Sequence, residues 1–233
     1  MESTTETNLR ITRPGWLEIL LGIATMAVVG FALPALLPDS FDLTGAAGGA
    51  FLACLSGIAG GAGFGAAVAL RRLPVRGFGL RRTTAGWMWL GVAGGVVALL
   101  AKGLLVPLFT WLVDVPTDTQ AGYAAGASGG IWFLVVTAIG LVVLTPIGEE
   151  LLFRGVVTSG LLRYGPVVAT LGSAVIFALL HGINVVLPAA LVVGIITAEL
   201  RRRSDSVWPG VVVHAFNNSI TVIAYAMAPG IVS

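Results

Sequence analysis

Polar positions along this chain are confined to a few short clusters, separated by apolar stretches close to the length of a membrane crossing. On that pattern, spans fall at about 16–37, 46–70, 86–113, 128–150, 166–182, 184–200 and 207–229. Each reaches or approaches the roughly 20 residues that an α-helix needs to cross about 30 Å of hydrocarbon. The stretch 131–163 is too long for one simple crossing, so the fourth span is expected to run on through Pro146 into a helix ending near Arg163. "YGPV" at 164–167 is a turn signal. The pattern predicts an all-α, polytopic transmembrane helical bundle of about seven or eight spans, with room for one re-entrant piece. It divides the chain into a cytoplasmic tail (1–15), N-terminal transmembrane helices (16–127) and a core that carries the unusual polar residues (128–229).

Composition sharpens this reading. Of 233 residues, 57% are hydrophobic and 10% charged, so the polar surface of a soluble domain cannot be supplied. The 32 glycines suit helices that approach one another closely in lipid. Cys54 is the single cysteine, which excludes an intramolecular disulfide and a thiolate metal cluster. Of the thirteen basic residues only Lys102 is a lysine, and a net charge of +2 gives no sign of a nucleic-acid partner. No cleavable signal peptide stands out.

Placement of charge sets the orientation. Arg10 and Arg13 precede the first span; Arg71, Arg72, Arg76, Arg81 and Arg82 fill the second loop; Arg201, Arg202 and Arg203 follow the sixth. The loops at 38–45 and 114–127 carry Asp39, Asp42, Asp114 and Asp118 and no Lys or Arg. The positive-inside rule then places the N-terminus in the cytoplasm of a multi-pass cell-membrane protein.

A charged side chain within the membrane is costly, so a retained one is a functional hypothesis by default. The set is short: Glu149, Glu150 and Arg154 in "GEELLFRG", His181 in "FALLHG", and His214, Asn217 and Asn218 in "HAFNNS". The first 120 residues offer nothing comparable, and Lys102 receives no role. Glu199 and Arg163 read as interfacial residues.

Helical spacing sorts the rest. Glu150 and Arg154 stand i,i+4 and can pair on one face, while Glu149 is turned about 100° away. His214 and Asn218 are also i,i+4, and Asn217 falls off that face. Glu149 lies sixteen residues before Gly165 and His181 sixteen after it, so antiparallel helices bring the two to one depth. His214, only about ten residues past the 201–206 loop, is expected to be shallower unless the helix ends are staggered.

These groups fit hydrolysis of an amide in or beside the membrane. A carboxylate in apolar surroundings could take a proton from water as general base, with a neighbouring histidine holding that water or relaying the proton. An amide NH2 and a second imidazole could stabilise the oxyanion, and Glu149, His181, His214 and Asn218 supply these parts. Glu150, held ionised by Arg154, would brace the helix. Two histidines and a glutamate are also a ligand set for catalytic zinc, with Glu149, His181 and His214 as candidates. The HExxH spacing is absent, and nothing in the spacing decides between a metal and metal-free water.

Taken in order, "EELLFR" (149–154), "FALLH" (177–181, opening on Phe177) and "HAFNN" (214–218) match EExxxR, FxxxH and HxxxN patterns. The ordered triplet resembles the CPBP family of intramembrane proteases, over about 140–225. That family includes the CAAX prenyl endopeptidase (Rce1-type) and bacterial proteins of bacteriocin processing or self-immunity (the Abi group). The resemblance implies a glutamate-dependent intramembrane endopeptidase, often called a metalloprotease although metal-free water is favoured over zinc, whose partners are the bilayer and a membrane-associated protein or peptide substrate. It implies that Glu149 and His181 activate water, that His214 and Asn218 form the oxyanion site, and that Glu150, Arg154 and Phe177 support them. The substrate, lipidated or not, stays open.

Two other classes compete. A non-catalytic family member could sequester a peptide as an immunity or scaffold protein, but it would not need both glutamates and both histidines. A transporter would call for an internal repeat and paired broken helices, which the sequence lacks.

Overall fold

The computed structural model describes residues 13–71 and 74–227. Arg10, Arg72 and most of the expected cytoplasmic tail fall outside the described residues. Helices account for nearly all of the rest: α1 (Trp16–Ala35), α2 (Ala46–Arg71), α3 (Ala85–Leu112) and the short α4 (Ala121–Ser128). They are followed by α5 (Ile131–Tyr164), α6 (Pro166–Leu180), α7 (Leu187–Ser204) and α8 (Trp208–Met227). Five of these (α1, α2, α3, α5 and α8) are long and apolar enough to cross a membrane, while α6 is shorter and apolar. Helix α7 ends in the charged run Glu199–Arg203. The 114–127 loop contains α4, whose eight residues are too short to cross.

The breaks between helices follow from local chemistry. Gly165, at φ +98°, makes the turn that lets Pro166 open α6, and Gly182, at φ +85°, ends that helix just past His181. At the start of α1, the Glu18 carboxylate accepts the Gly15 N–H at 2.5 Å, satisfying a donor that a helix start would leave orphaned.

Helix α5 runs on through Pro146, as the length of 131–163 predicted, and occupies the centre of the bundle. On one side it meets α2 through glycines. A Cβ on Gly148 would lie 2.0 Å from the Gly57 carbonyl oxygen, and one on Gly60 would lie 2.6 Å from the Gly148 carbonyl carbon. Only backbone fits there, so the two helices touch along their main chains. On the other side, Leu152, Phe153, Val156 and Val157 pack with Phe177, Val193 and Val213 in the main core.

Two segments of α5, Ile139–Leu144 and Leu151–Thr158, are wound as π-helix, on either side of the paired glutamates. Pro146 explains one consequence of the first. In the π pattern the Thr145 N–H donates to the Gly140 carbonyl, five residues back. The Leu141 carbonyl would then need the N–H of residue 146, which proline does not have.

Several of the described arginines gather at one end of the bundle. Arg71 lies 3.6 Å from Glu18, Arg163 donates to the Pro14 carbonyl, and Arg81 and Arg201 both pair with Asp205. Elsewhere the outer surface is apolar: Phe31, Trp111 and Trp132 are each at least 80% exposed. Such a surface suits hydrocarbon and would be a liability in water.

Candidate active site

Glu149 and Glu150 project from the short α-helical stretch Thr145–Glu150 between the π segments and are both buried. One helical position apart, they meet different surroundings. The Glu149 Oε1 accepts a hydrogen bond from Ser56 Oγ of α2 at 2.5 Å, and its Oε2 has no hydrogen-bond partner. Glu150 forms the pair that its spacing predicts, with Arg154 Nε at 3.1 Å from its Oε2 and both side chains 0% exposed.

Arg154 is the centre of a buried scaffold. Its Nε also donates to Thr197 Oγ1 of α7 at 2.6 Å, while its guanidinium lies 4.7 Å from the Phe177 ring centroid. A cation over an aromatic face is attracted by the ring quadrupole, and more strongly when desolvated. Phe177, the first residue of the second motif, thus supports the first motif. Its ring also meets those of His181 and His214 edge-on, at 4.6 Å and 5.9 Å.

His214 enters from α8 between the two carboxylates. Its Nδ1 is 3.5 Å from Glu150 Oε1 and its Nε2 is 3.9 Å from Glu149 Oε2. Gly210, one turn earlier, makes room: a Cβ there would sit 2.6 Å from Glu150 Oε2. His181 caps α6, and its Nδ1 lies 2.8 Å from the Phe177 carbonyl oxygen. A carbonyl only accepts, so this contact requires the proton on Nδ1 and leaves Nε2 with a lone pair.

Asn218 meets the need left by Pro146. Its Nδ2 donates to the Leu141 carbonyl at 2.9 Å, and its Oδ1 accepts from Asn217 Nδ2 at 3.2 Å. One N–H of the amide remains unassigned. Asn217, which helical phase separates from His214, therefore helps to orient its neighbour.

His214 meets Glu149 in spite of its place near the 201–206 loop, its Nε2 facing Glu149 Oε2. Near the end of α7, Arg201 donates to Ser159 Oγ at 2.9 Å and Glu199 accepts from Thr170 Oγ1 of α6 at 3.4 Å.

Glu149, His181, His214 and Asn218 line one cavity of about 330 Å³. No hydrogen bond joins Glu149 to His181 among the described residues, so these two share the space across a gap. Ser56, Gln120 and Tyr123, from the region 16–127, also line it. The sequence reading missed all three, having looked for charge; a hydroxyl or amide in a membrane helix is common and carries little signal. A metal fits the candidate set poorly. Among the described residues no three His, Cys, Asp or Glu are gathered to hold an ion, and Glu149, His181 and His214 do not converge on one point of coordination.

Residues 130–220 match the family model described as Type II CAAX prenyl endopeptidase Rce1-like. All three motifs lie inside the match. Searches of curated proteins and of solved structures gave no match.

Proposed function

We propose, from the match of residues 130–220 to the Rce1-like CAAX prenyl endopeptidase family model, that this membrane protein cleaves a peptide bond by means of water activated by Glu149. The supporting observation is the free Oε2 of a buried Glu149, which borders a cavity shared with both histidines and Asn218. Ser56 holds the other oxygen, so the carboxylate is oriented and one acceptor is left for water.

In this reading a water donates to Glu149 Oε2 and to the Nε2 lone pair of His181, which orients it. Its oxygen attacks the carbonyl carbon of the peptide bond while Glu149 takes a proton. The oxyanion that forms accepts hydrogen bonds from the remaining N–H of Asn218 and from a ring N–H of His214. Collapse breaks the C–N bond, and the proton on Glu149 passes to the departing amine. Glu150, Arg154 and Phe177 touch none of the reacting atoms; they fix His214 and the helix that carries Glu149. The substrate is a protein or peptide associated with the membrane, and the arginine-rich end of the bundle faces the cytoplasm.

The test compares peptides released from membranes that contain wild type or Glu149→Ala at matched levels, read by mass spectrometry. Fragments that disappear with the substitution are the expected result. Identical profiles from two folded proteins would overturn the proteolytic reading in favour of a peptide-binding role.

A further inference from the structure

Tyr123 stands on α4, in the loop between α3 and α5, outside the residues 130–220 that match the family model. It lines the cavity of about 330 Å³ together with Glu149, Asn218 and both histidines. Close packing fixes the short helix that carries it. A Cβ on Gly49 of α2 would lie 1.9 Å from the Gly122 carbonyl oxygen, and one on Gly126 would lie 2.6 Å from Thr137 Oγ1 of α5. The phenol is therefore held on main-chain contacts and does not ride on a loose loop.

The Tyr123 ring packs against the apolar cluster that contains Leu141 and Tyr225. Leu141 is also the residue whose carbonyl holds Asn218, so the phenol and the amide are anchored at the same stretch of α5. Among the described residues the Tyr123 hydroxyl takes part in no hydrogen bond, and it is not one of the unpaired side-chain atoms sealed inside the protein. It opens on the cavity with its proton free to be donated. Burial and the nearby charge of Glu149 push its pKa up to about 12. Such a phenol keeps its proton at any working pH, so it serves as a hydrogen-bond donor and not as an acid.

The oxyanion formed by attack on a peptide carbonyl has three lone pairs, of which Asn218 and His214 engage two. We propose that Tyr123 is a further catalytic residue, whose hydroxyl donates the third hydrogen bond to this oxyanion. The proposal rests on the proteolytic reading above. No bond to Tyr123 is made or broken, and its proton stays on the phenol throughout. The hydrogen bond strengthens as the carbonyl oxygen gains charge, which lowers the barrier without tightening the hold on the intact substrate. Helix α4 thus supplies the site with a donor from outside the family-matched region.

Peptides released from membranes with wild type, Tyr123→Phe or Glu149→Ala are compared first. A synthetic peptide spanning a junction that Glu149→Ala abolishes then serves for kinetics in nanodiscs. Loss of one oxyanion donor costs about 10²–10³ in rate, so Tyr123→Phe should lower kcat about a hundredfold or more while KM stays the same. Its melting temperature should match wild type, because the phenyl ring keeps its packing. Tyr225→Phe, from the same cluster but lining a neighbouring cavity of about 440 Å³, should keep the wild-type kcat. A kcat within about threefold of wild type in Tyr123→Phe would overturn the proposal and leave proteolysis standing. An equal loss in Tyr225→Phe would also overturn it, since the cluster and not one hydroxyl would be responsible. So would an acid limb of the kcat–pH profile that moves to higher pH in Tyr123→Phe, because the hydroxyl would then have been stabilising the Glu149 carboxylate. Absence of any Glu149-dependent fragment would overturn the proteolytic reading and this proposal together.

Discussion

Replacing Arg154 with methionine tests the buried scaffold most directly. The substitution keeps an unbranched apolar side chain against Phe177 but removes the cation 3.1 Å from Glu150 and the donor to Thr197. Both members of the ion pair are fully buried, so water cannot compensate the anion left behind. Removing one partner of such a pair costs about 3–5 kcal/mol. His214 Nδ1, 3.5 Å from Glu150, can take up part of that charge and moves the expectation towards the lower figure. At about 2–4 °C per kcal/mol for a chain of this length, the melting temperature should fall by roughly 6–20 °C. Thermal unfolding of the purified protein in detergent, read by intrinsic tryptophan fluorescence, gives the number. The double variant Glu150→Gln/Arg154→Met removes both charges and should recover more than half of the loss, because the penalty lies in the unpaired charge and not in the absence of a bridge. A loss of less than about 1 kcal/mol in the single variant would refute this reasoning, as would a double variant no more stable than the single.

Other substitutions address separate features of the site. Ser56→Ala removes the donor to Glu149 Oε1; a hydrogen bond to a charged group contributes about 1.5–3 kcal/mol, so the melting temperature should fall by roughly 3–12 °C, and kcat should fall as the carboxylate loses its orientation. Gly148→Ala should destabilise by about 1–3 kcal/mol, since its Cβ would lie 2.0 Å from the Gly57 carbonyl oxygen. Gly61→Ala, whose Cβ would meet nothing within 4 Å, should be neutral or stabilising by up to about 1 kcal/mol, and the two melting curves separate close packing from helix propensity. Asn218→Ala leaves the Leu141 carbonyl without its donor and should cost about 1–3 kcal/mol in unfolding as well as activity. In Asn218→Ala/Pro146→Ala, where residue 146 regains an N–H, the stability should recover while the activity does not.

Local periodicity and the cost of charge in hydrocarbon made much of this protein legible in its sequence. The i,i+4 pair of Glu150 and Arg154 formed as its spacing required, because two positions on one helix face need no tertiary information to be neighbours. The length of 131–163 announced a helix continuing through Pro146, and the scarcity of buried charge singled out Glu149, His181 and His214, which do border one cavity. Proximity between distant segments was beyond the sequence. Ser56 reaches Glu149 across 93 positions, and only the glycine-lined approach of α2 to α5 makes that contact. Asn218 acquires a partner because a π turn and a proline together free the Leu141 carbonyl, an outcome of backbone winding that residue types alone do not reveal. The placing of His214 beside both glutamates depends on how α8 packs against α5, which neither segment's own pattern announces. Residue chemistry states which groups lipid will not tolerate alone; the packing of main chains decides which of them meet.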